Sequence, residues 1–532
     1  MSKQAACGII SLAAVVVAVL STSRGSCDDA AAQLPTGVEA VWDVAKAHRE
    51  TTATRESICI NGLWRWQPAG GAPEDVPARN WGYFKVPGCW PGITDYLQKD
   101  CQTVYPHPAW SAERLADVSA AWYQREITLP AKWGQRRIAL SVEYLNSYAA
   151  VYIDGKQAGE IKFPGGELDL TPHCQAGATH VLSLFVVAMP LKAVLLSYND
   201  TNTAREVKGR VARRGLCGDV FLVATPQGAE IADLKVDTSL RKGEITFDAA
   251  LRRLANDKTY SLRACVTFDG QEVRQFASPV FKADDVKNGR IAFTETWRPD
   301  RLWDVHTPAN TYQVALSLLD AEGKLLDTFF SVRFGCREFW IDGRDFYLNG
   351  TRIFLSCVPL DNAQVSAAQA TYDAARESLE RLKGFGINFV YTHHYGCEPG
   401  SHLALTEILK AADDVGMLVA LSQPHFAHYE WQRPEADVDN GYARHAEFYV
   451  RAAQNHPSVV AYATSHNATG YDEDMNPDLI DGTHDPRSPG EVNHAARALR
   501  AEAILKRLDP GRIVYHHSSG NLGSMHTSNF YP

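Results

Sequence analysis

The chain has 532 residues, 45% of them hydrophobic and 22% charged. That globular composition excludes a mostly disordered chain, a coiled coil and a collagen-like fibre, and at about 100–200 residues per domain it predicts about three domains. With 53 Lys and Arg against 62 Asp and Glu the formal net charge is −9, which disfavours nucleic acid as a partner bound through the whole surface.

The chain opens on an export pattern. Lys3 supplies a short positive region, Gly8 to Leu20 is an apolar run, and Ser21, Ser23 and Gly25 are small residues suited to cleavage. Residues 1–25 therefore read as a signal peptide. The run is shorter than the ~20 residues that span a bilayer comfortably, and no later stretch is apolar enough to cross one, so the mature chain is expected to have no membrane span. A secreted or periplasmic location follows. Of the 11 cysteines, Cys7 lies in this segment and none of the rest form a C-x-x-C pair, which leaves zinc or thioredoxin-like redox chemistry without support. Export permits disulfides, but spacing does not reveal their pairing.

From 35 to 226 the pattern is all β. Arg137–Tyr144, Ala149–Ile153 and His180–Val187 alternate or are β-branched, and turn signals such as Asp154-Gly155 separate them, which predicts a β-sandwich. A second all-β segment, 228–335, contains Ile245–Leu251, Leu262–Phe268 and Tyr312–Leu319 and closes on Phe329–Phe334. Its length and strand spacing fit an immunoglobulin-like sandwich.

In 336–532 the rhythm becomes strand, helix, strand, helix. Predicted strands are Ile353–Val358, Phe389–Tyr391, Leu418–Leu421, Val459–Tyr462, Ile513–Tyr515 and Met525–Tyr531. Predicted helices are Ala374–Lys383, Leu403–Val415, Tyr442–Gln454 and Val492–Leu508. Alternation of this kind argues a parallel α/β fold, either a barrel or a doubly wound sheet. No G-x-G-x-x-G follows a strand and no P-loop occurs, so nucleotide binding lacks support.

In a barrel, chemistry sits at the C-terminal ends of the strands. The residues there are His393-His394-Tyr395, Gln423-Pro424-His425, His466-Asn467-Ala468, Asp472-Glu473-Asp474, His516-His517 and Asn529-Phe530-Tyr531. Polar groups and rings on one rim suit a polyhydroxylated ligand. Each also has a structural alternative: His394 as a packed histidine, the three acids as a solvated turn. His516 and His517 alternate faces, so at most one of them points into the mouth.

Taken in order, these segments resemble glycoside hydrolase family 2, the β-galactosidase and β-glucuronidase group. The likeness rests on Trp122-Tyr123-Gln124-Arg125 with Ile127-Thr128-Leu129-Pro130, and on Gly218-Asp219-Val220-Phe221-Leu222. It continues through Leu302-Trp303 with Thr307-Pro308, Val332-Arg333-Phe334-Gly335 with Arg337-Glu338-Phe339, Leu348-Asn349-Gly350, and Asn455-His456-Pro457-Ser458-Val459-Val460. The resemblance implies a jelly-roll sugar-binding domain, an immunoglobulin-like β-sandwich and a (β/α)8 TIM barrel. The last is incomplete here, because the 197 residues from Cys336 to Pro532 fall short of the ~250 typical of a barrel.

The family hydrolyses O-glycosyl bonds with retention, through a glutamate acid/base and a glutamate nucleophile about 5–5.5 Å apart. By resemblance the acid should follow Asn467, yet Ala468 stands there, and the nucleophile's strand would lie beyond Pro532. The chain as given is accordingly expected to be inactive. Asn467 would hold a sugar hydroxyl, His394, Asn529 and Tyr531 would line the subsite, and Glu473 is the candidate substitute acid. Asp472 and Asp474 favour its protonated form, since like charges disfavour ionisation. No cofactor and no metal are expected, and the partner implied is an oligo- or polysaccharide. The alternative is a non-catalytic carbohydrate-binding protein on the same scaffold.

Overall fold

The computed structural model describes residues 32–516, apart from 71–74, 91–102, 189–213, 361–370, 465–488 and parts of 393–404 and 425–439, together with 520–521 and 526–527. The segment read as a signal peptide lies outside the described residues. No helix among the described residues is long and apolar enough to cross a membrane.

Period-two alternation builds the first sandwich. Along Ala120–Thr128, Ala121, Tyr123 and Ile127 enter the core between two sheets, while Trp122 packs on the opposite face against Tyr152 and Phe185. One sheet has five strands, in the order Arg49–Thr51, Glu56–Cys59, Val220–Pro226, Arg136–Val142, Gly166–Asp169. The other has seven and runs from Lys156–Lys162 through Ala120–Thr128 to Val104–Tyr105; every pairing is antiparallel. The core is aromatic, with Trp66 ringed by Phe84, Trp90, Trp110 and Tyr123 at centroid distances of 5.2–6.4 Å. The strands expected at 137–144, 149–153 and 180–187 occur as Arg136–Val142, Tyr148–Ile153 and Thr179–Val187.

The second sandwich packs Glu230–Ser239, Glu244–Arg252 and Arg290–Thr296 against a sheet centred on Thr259–Phe268 and Tyr312–Asp320. Its closing strand is Val332–Phe334, shorter than the predicted 329–334, because Leu325–Thr328 already occupies the ladder beside Tyr312–Asp320.

A three-stranded meander, Phe339–Asp342, Asp345–Leu348 and Thr351–Ile353, leads into the third part. Asn349 and Gly350, with φ of 53° and 88°, form its second hairpin; both central residues of such a turn need positive φ. This corrects the predicted strand Ile353–Val358, since Ile353 ends the meander and the parallel sheet starts only at Cys357. That sheet has five strands in sequence order: β1 (Cys357–Leu360), β2 (Phe389–Thr392), β3 (Leu418–Ser422), β4 (Val459–Ala463) and β5 (Ile513–Tyr515). Helices α1 (Tyr372–Gly384), α2 (Leu405–Val415), α3 (Tyr442–Ala453) and α4 (Pro489–Leu508) alternate with them. The expected sixth strand over 525–531 lies mostly outside the described residues. Within it only His526–Thr527 is a described strand, and it pairs antiparallel with Gly520–Asn521.

Charged side chains join the three parts. Asp327, fully buried at the edge of the second sandwich, accepts from Arg55 Nε and Thr54 Oγ1 at 2.8 Å each through Oδ1. Its Oδ2 accepts from Arg55 Nη2 and, at 2.8 Å, from the Ile231 amide. Asp509, at the end of α4, takes Lys235 Nζ of the second sandwich at 2.9 Å. Trp303 is buried between the second sandwich and the parallel sheet and donates its indole N–H to the Asp413 carbonyl at 3.0 Å.

Replacing Asp327 with Ala leaves the buried Arg55 guanidinium, among the described residues, with only the more distant Glu230, at 4.0 Å, as counterion. Breaking a buried pair in this way costs about 3–5 kcal/mol, so urea unfolding should show a loss of that size for Asp327→Ala. A loss below ~1 kcal/mol, typical of exposed pairs, would mean that water reaches this joint.

Candidate functional site

Side-chain parity defines the C-terminal edge of the parallel sheet. Phe389, Tyr391, Leu418, Ala420, Ile513 and Tyr515 share one cluster on the face towards Trp303. Val390, Val419, Leu421 and Val514 pack with the helices. Continuing this alternation puts Ser422 on the inner face, and Thr392, Gln423 and His516 on the helix side.

The edge is stitched by polar side chains. Ser422 takes Thr392 Oγ1 as acceptor for its amide at 2.9 Å and donates its hydroxyl to the Thr392 carbonyl. The Gln423 amide donates to the Ala463 carbonyl at 2.7 Å. At the end of β4, Thr464 Oγ1 lies 2.5 Å from His516 Nδ1, and His516 Nε2 lies 2.8 Å from Glu502 Oε2 on α4. Lys506, one turn further along α4, closes the chain on the other Glu502 oxygen. Burial alone would push the Glu502 carboxyl up, but hydrogen bonds from His516 and Lys506 outweigh it and bring it down to about 2. Thr464, His516 and Glu502 are all buried, so this row orients the ends of β4 and β5 from beneath.

Gln423 is fully buried, and among the described residues neither oxygen nor nitrogen of its carboxamide has a partner. Beyond it, Tyr429 follows the loop from β3 and its hydroxyl meets His445 Nδ1 of α3 at 2.5 Å. His445 is fully buried, and its Nε2 has no partner among the described residues. Its ring packs edge-on against Phe163 of the first sandwich, with centroids 4.6 Å apart. Alongside it, Tyr449 donates its hydroxyl to that of Tyr144 at 3.2 Å. The first sandwich is thereby seated on α3 and on the loop after β3. Burial pulls the His445 imidazole down to about 3, which keeps it neutral in the folded chain.

Of the site residues expected from sequence, His394 falls in a two-residue strand, His394–Tyr395, antiparallel to Glu398–Pro399. Nothing beyond that backbone pairing is described for it. Asn467, Ala468, Glu473, Asn529 and Tyr531 lie outside the described residues. His516 proves to be a packed histidine on the helix side, so it does not face the mouth. Sequence reading missed its partners Thr464 and Glu502. The available signal was slight: Glu502 and Lys506 stand four apart on one helix face, and nothing in the spacing ties them to a strand 14 residues on. Among the described residues no three His, Cys, Asp or Glu side chains are grouped to hold a metal ion.

No family model matches the chain. A putative β-glucuronidase of Formosa agariphila is 28% identical over 434 residues, covering 77% of this chain and 48% of that protein. A β-galactosidase of Thermoanaerobacter pseudethanolicus is 23% identical over 419 residues, 75% of this chain and 52% of its own length. The chain thus spans about half the length of the curated relatives it matches. Among solved structures, a Bacteroides uniformis β-glucuronidase superposes with TM-score 0.60 at 22% identity, over 87% of this chain and 52% of that one. A Bifidobacterium dentium β-glucuronidase complexed with coumarin-3-O-glucuronide gives 0.64 at 18% identity, over 88% and 75%. These likenesses share the fold found here, antiparallel sandwiches followed by a parallel β/α region.

Two predictions follow from the packing at this edge. His445 titrates at about 3 when folded and at its ordinary 6.5 when unfolded, so the unfolded chain binds the extra proton between those values. Stability should therefore fall as pH drops below 6.5, by about 2 kcal/mol at pH 5. His445→Phe should flatten that part of the profile in denaturant titrations at several pH values, and an unchanged slope would remove His445 as the cause. Gln423→Met should raise stability by about 1–2 kcal/mol, because it removes two unpaired buried polar atoms. A lowered melting temperature for that variant would show that the carboxamide is satisfied in solution.

Proposed function

We propose that the chain is a secreted glycoside hydrolase of family 2 type acting on β-linked glycosides, a reading that proceeds from its similarity to β-glucuronidases and β-galactosidases. The observation that carries this reading is the 434-residue match to the putative β-glucuronidase, which takes in 77% of the chain. In support, buried polar side chains brace the C-terminal edge of the parallel sheet, the edge at which α/β barrels keep their chemistry. The substrate class is an oligo- or polysaccharide. The domain plan proposed with it is a jelly-roll over 35–226, an immunoglobulin-like sandwich over 228–335 and a barrel segment over 336–532.

In this reading Asn467 holds a sugar hydroxyl next to the anomeric carbon, while His394, Asn529 and Tyr531 line the subsite. The acid must come from elsewhere than Ala468, whose methyl group carries no proton to give. Glu473 stands five residues on, in the same segment after β4. It protonates the leaving oxygen, and a positioned general acid of this kind contributes about 10²–10⁴-fold. Ala468 also favours a second reading, a non-catalytic carbohydrate-binding protein on the same scaffold, in which Asp472-Glu473-Asp474 is a solvated turn.

Glu473→Gln, made in a protein that also carries the nucleophile expected on a later strand, decides between the two. Compared with the unmodified protein on aryl β-glycosides, the variant should lose about 10²-fold or more on a poor leaving group and little on a good one. Equal, small losses on both would remove Glu473 from the mechanism. No turnover by either protein, with saturable glycan binding retained, would establish the binding reading.

A further inference from the structure

A cleft of about 470 Å³ lies between the second sandwich and the N-terminal end of the parallel sheet, opposite to the edge described above. Its walls come from the ends of Glu230–Ser239 and Glu244–Arg252, from the chain around Arg337, and from the turns that precede β4 and β5. Four cationic side chains line it, Arg241, Lys242, Arg337 and Arg512, against three carboxylates, Asp237, Glu244 and Glu338.

Most of these charges are already matched. Arg241 holds Glu338 with Nε at 2.8 Å and Nη2 at 2.7 Å from the same oxygen. Arg512 holds Asp509 at 2.6 Å and donates to the carbonyls of Ala453, Gln454 and His456. Asp237 takes Lys235 at 2.7 Å. Arg337 is different. Its Nε donates to the Pro457 carbonyl at 2.8 Å and its Nη2 to the Val459 carbonyl at 2.6 Å, but among the described residues no acid is in contact with it and its Nη1 donates to nothing. Burial, with Arg512 close by, pulls this guanidinium down to about 10 even though Asp237 and Asp509 act on it from further off. Among the described residues the Lys242 ammonium is likewise without an acid, and its backbone amide donates to Ser239 Oγ at 3.4 Å.

A half-buried guanidinium with a free donor edge, beside a second free cation, is a half-built carboxylate receptor. We propose that this cleft binds a small monocarboxylate, held by Arg337 Nη1 and closed over by Lys242. Glu244 on the same wall has no cationic partner among the described residues, and its charge selects against a dianion such as phosphate. The carboxylate is either a free organic acid or one borne on a uronic acid, and both offer the same group to Arg337. The site lies apart from the sheet edge where glycoside chemistry is placed, and it does not depend on that function.

Calorimetric titration of the whole chain at constant ionic strength tests the proposal, with sodium acetate, sodium glucuronate, glucose, sodium phosphate and sodium chloride as probes. Saturable heat is expected for a carboxylate and none for glucose, phosphate or chloride. Binding of acetate and glucuronate alike identifies a free carboxylate as sufficient; binding of glucuronate alone identifies a uronic acid. Arg337→Gln should abolish the heat, and Lys242→Ala should weaken binding by about five-fold, the worth of one exposed charge contact. Lys242 is exposed, so its variant remains informative even if Arg337→Gln fails to fold. Absence of saturable heat with either carboxylate, phosphate binding as well as acetate, or heat unaltered by Lys242→Ala would each overturn the proposal.

Discussion

Asp509 ends α4 inside the protein, and three side chains from different places converge on its carboxylate. Arg512 reaches it from the following turn at 2.6 Å, Tyr462 from β4 at 2.9 Å and Lys235 from the second sandwich at 2.9 Å. Burial alone would favour the neutral acid, but Arg512 and Lys235 hold the carboxyl well below the usual range. Arg512 in turn binds the carbonyls that cap α3 and the turn before β4. The register of β5 beside β4, the end of α3 and the seat of the second sandwich thus meet in one buried charge cluster. A carboxylate taken from water at this depth is tolerated only because both of its oxygens find donors.

The same economy appears at each junction. Arg55 and Asp327 join the two sandwiches, His456 and Asp413 meet at 2.6 Å beneath the sheet, and the first sandwich rests on α3 through a ring seam that includes a neutral histidine. Most charged groups at these joints serve the architecture. That makes Arg337, held by carbonyls alone, stand out within the cleft, and it separates the joints from the polar row of Thr464, His516 and Glu502 that supports the rim.

Regular periods in the sequence carried the fold a long way. The helical stretches expected at 374–383, 403–415, 442–454 and 492–508 appear as α1 to α4 with small shifts at their ends, because each has an apolar stripe recurring at helical spacing. The four strands from Phe389 to Tyr515 were readable as short apolar runs between those helices. The approach to the sheet was not, because Ile353–Val358 reads as one apolar run while Phe354 is in fact exposed and the chain turns there out of the meander. The candidate site was less accessible to reading. His516 has the residue type and strand position of a rim histidine, and it is the inward packing of Ile513 and Tyr515, with its own pairing to Glu502 from α4, that turns it to the helices. A tertiary contact of that kind leaves no periodic trace.

The Arg55–Asp327 joint spans 272 positions of the chain. Thr52 and Thr54, beside Arg55, also bond to residue 328 or its neighbour, so the start of the first sandwich is tied to nearly the last strand of the second. During synthesis, the segment around Arg55 leaves the ribosome long before its partner exists. It must wait in a nearly complete sandwich with a guanidinium still open to water, and the joint closes only when residues 325–328 pair with Tyr312–Asp320. Closing so long a loop adds little entropy beyond that of a shorter one, but it sets an order of events. The two sandwiches become one unit late, just before the α/β segment begins to emerge and needs Lys235 as a counterion.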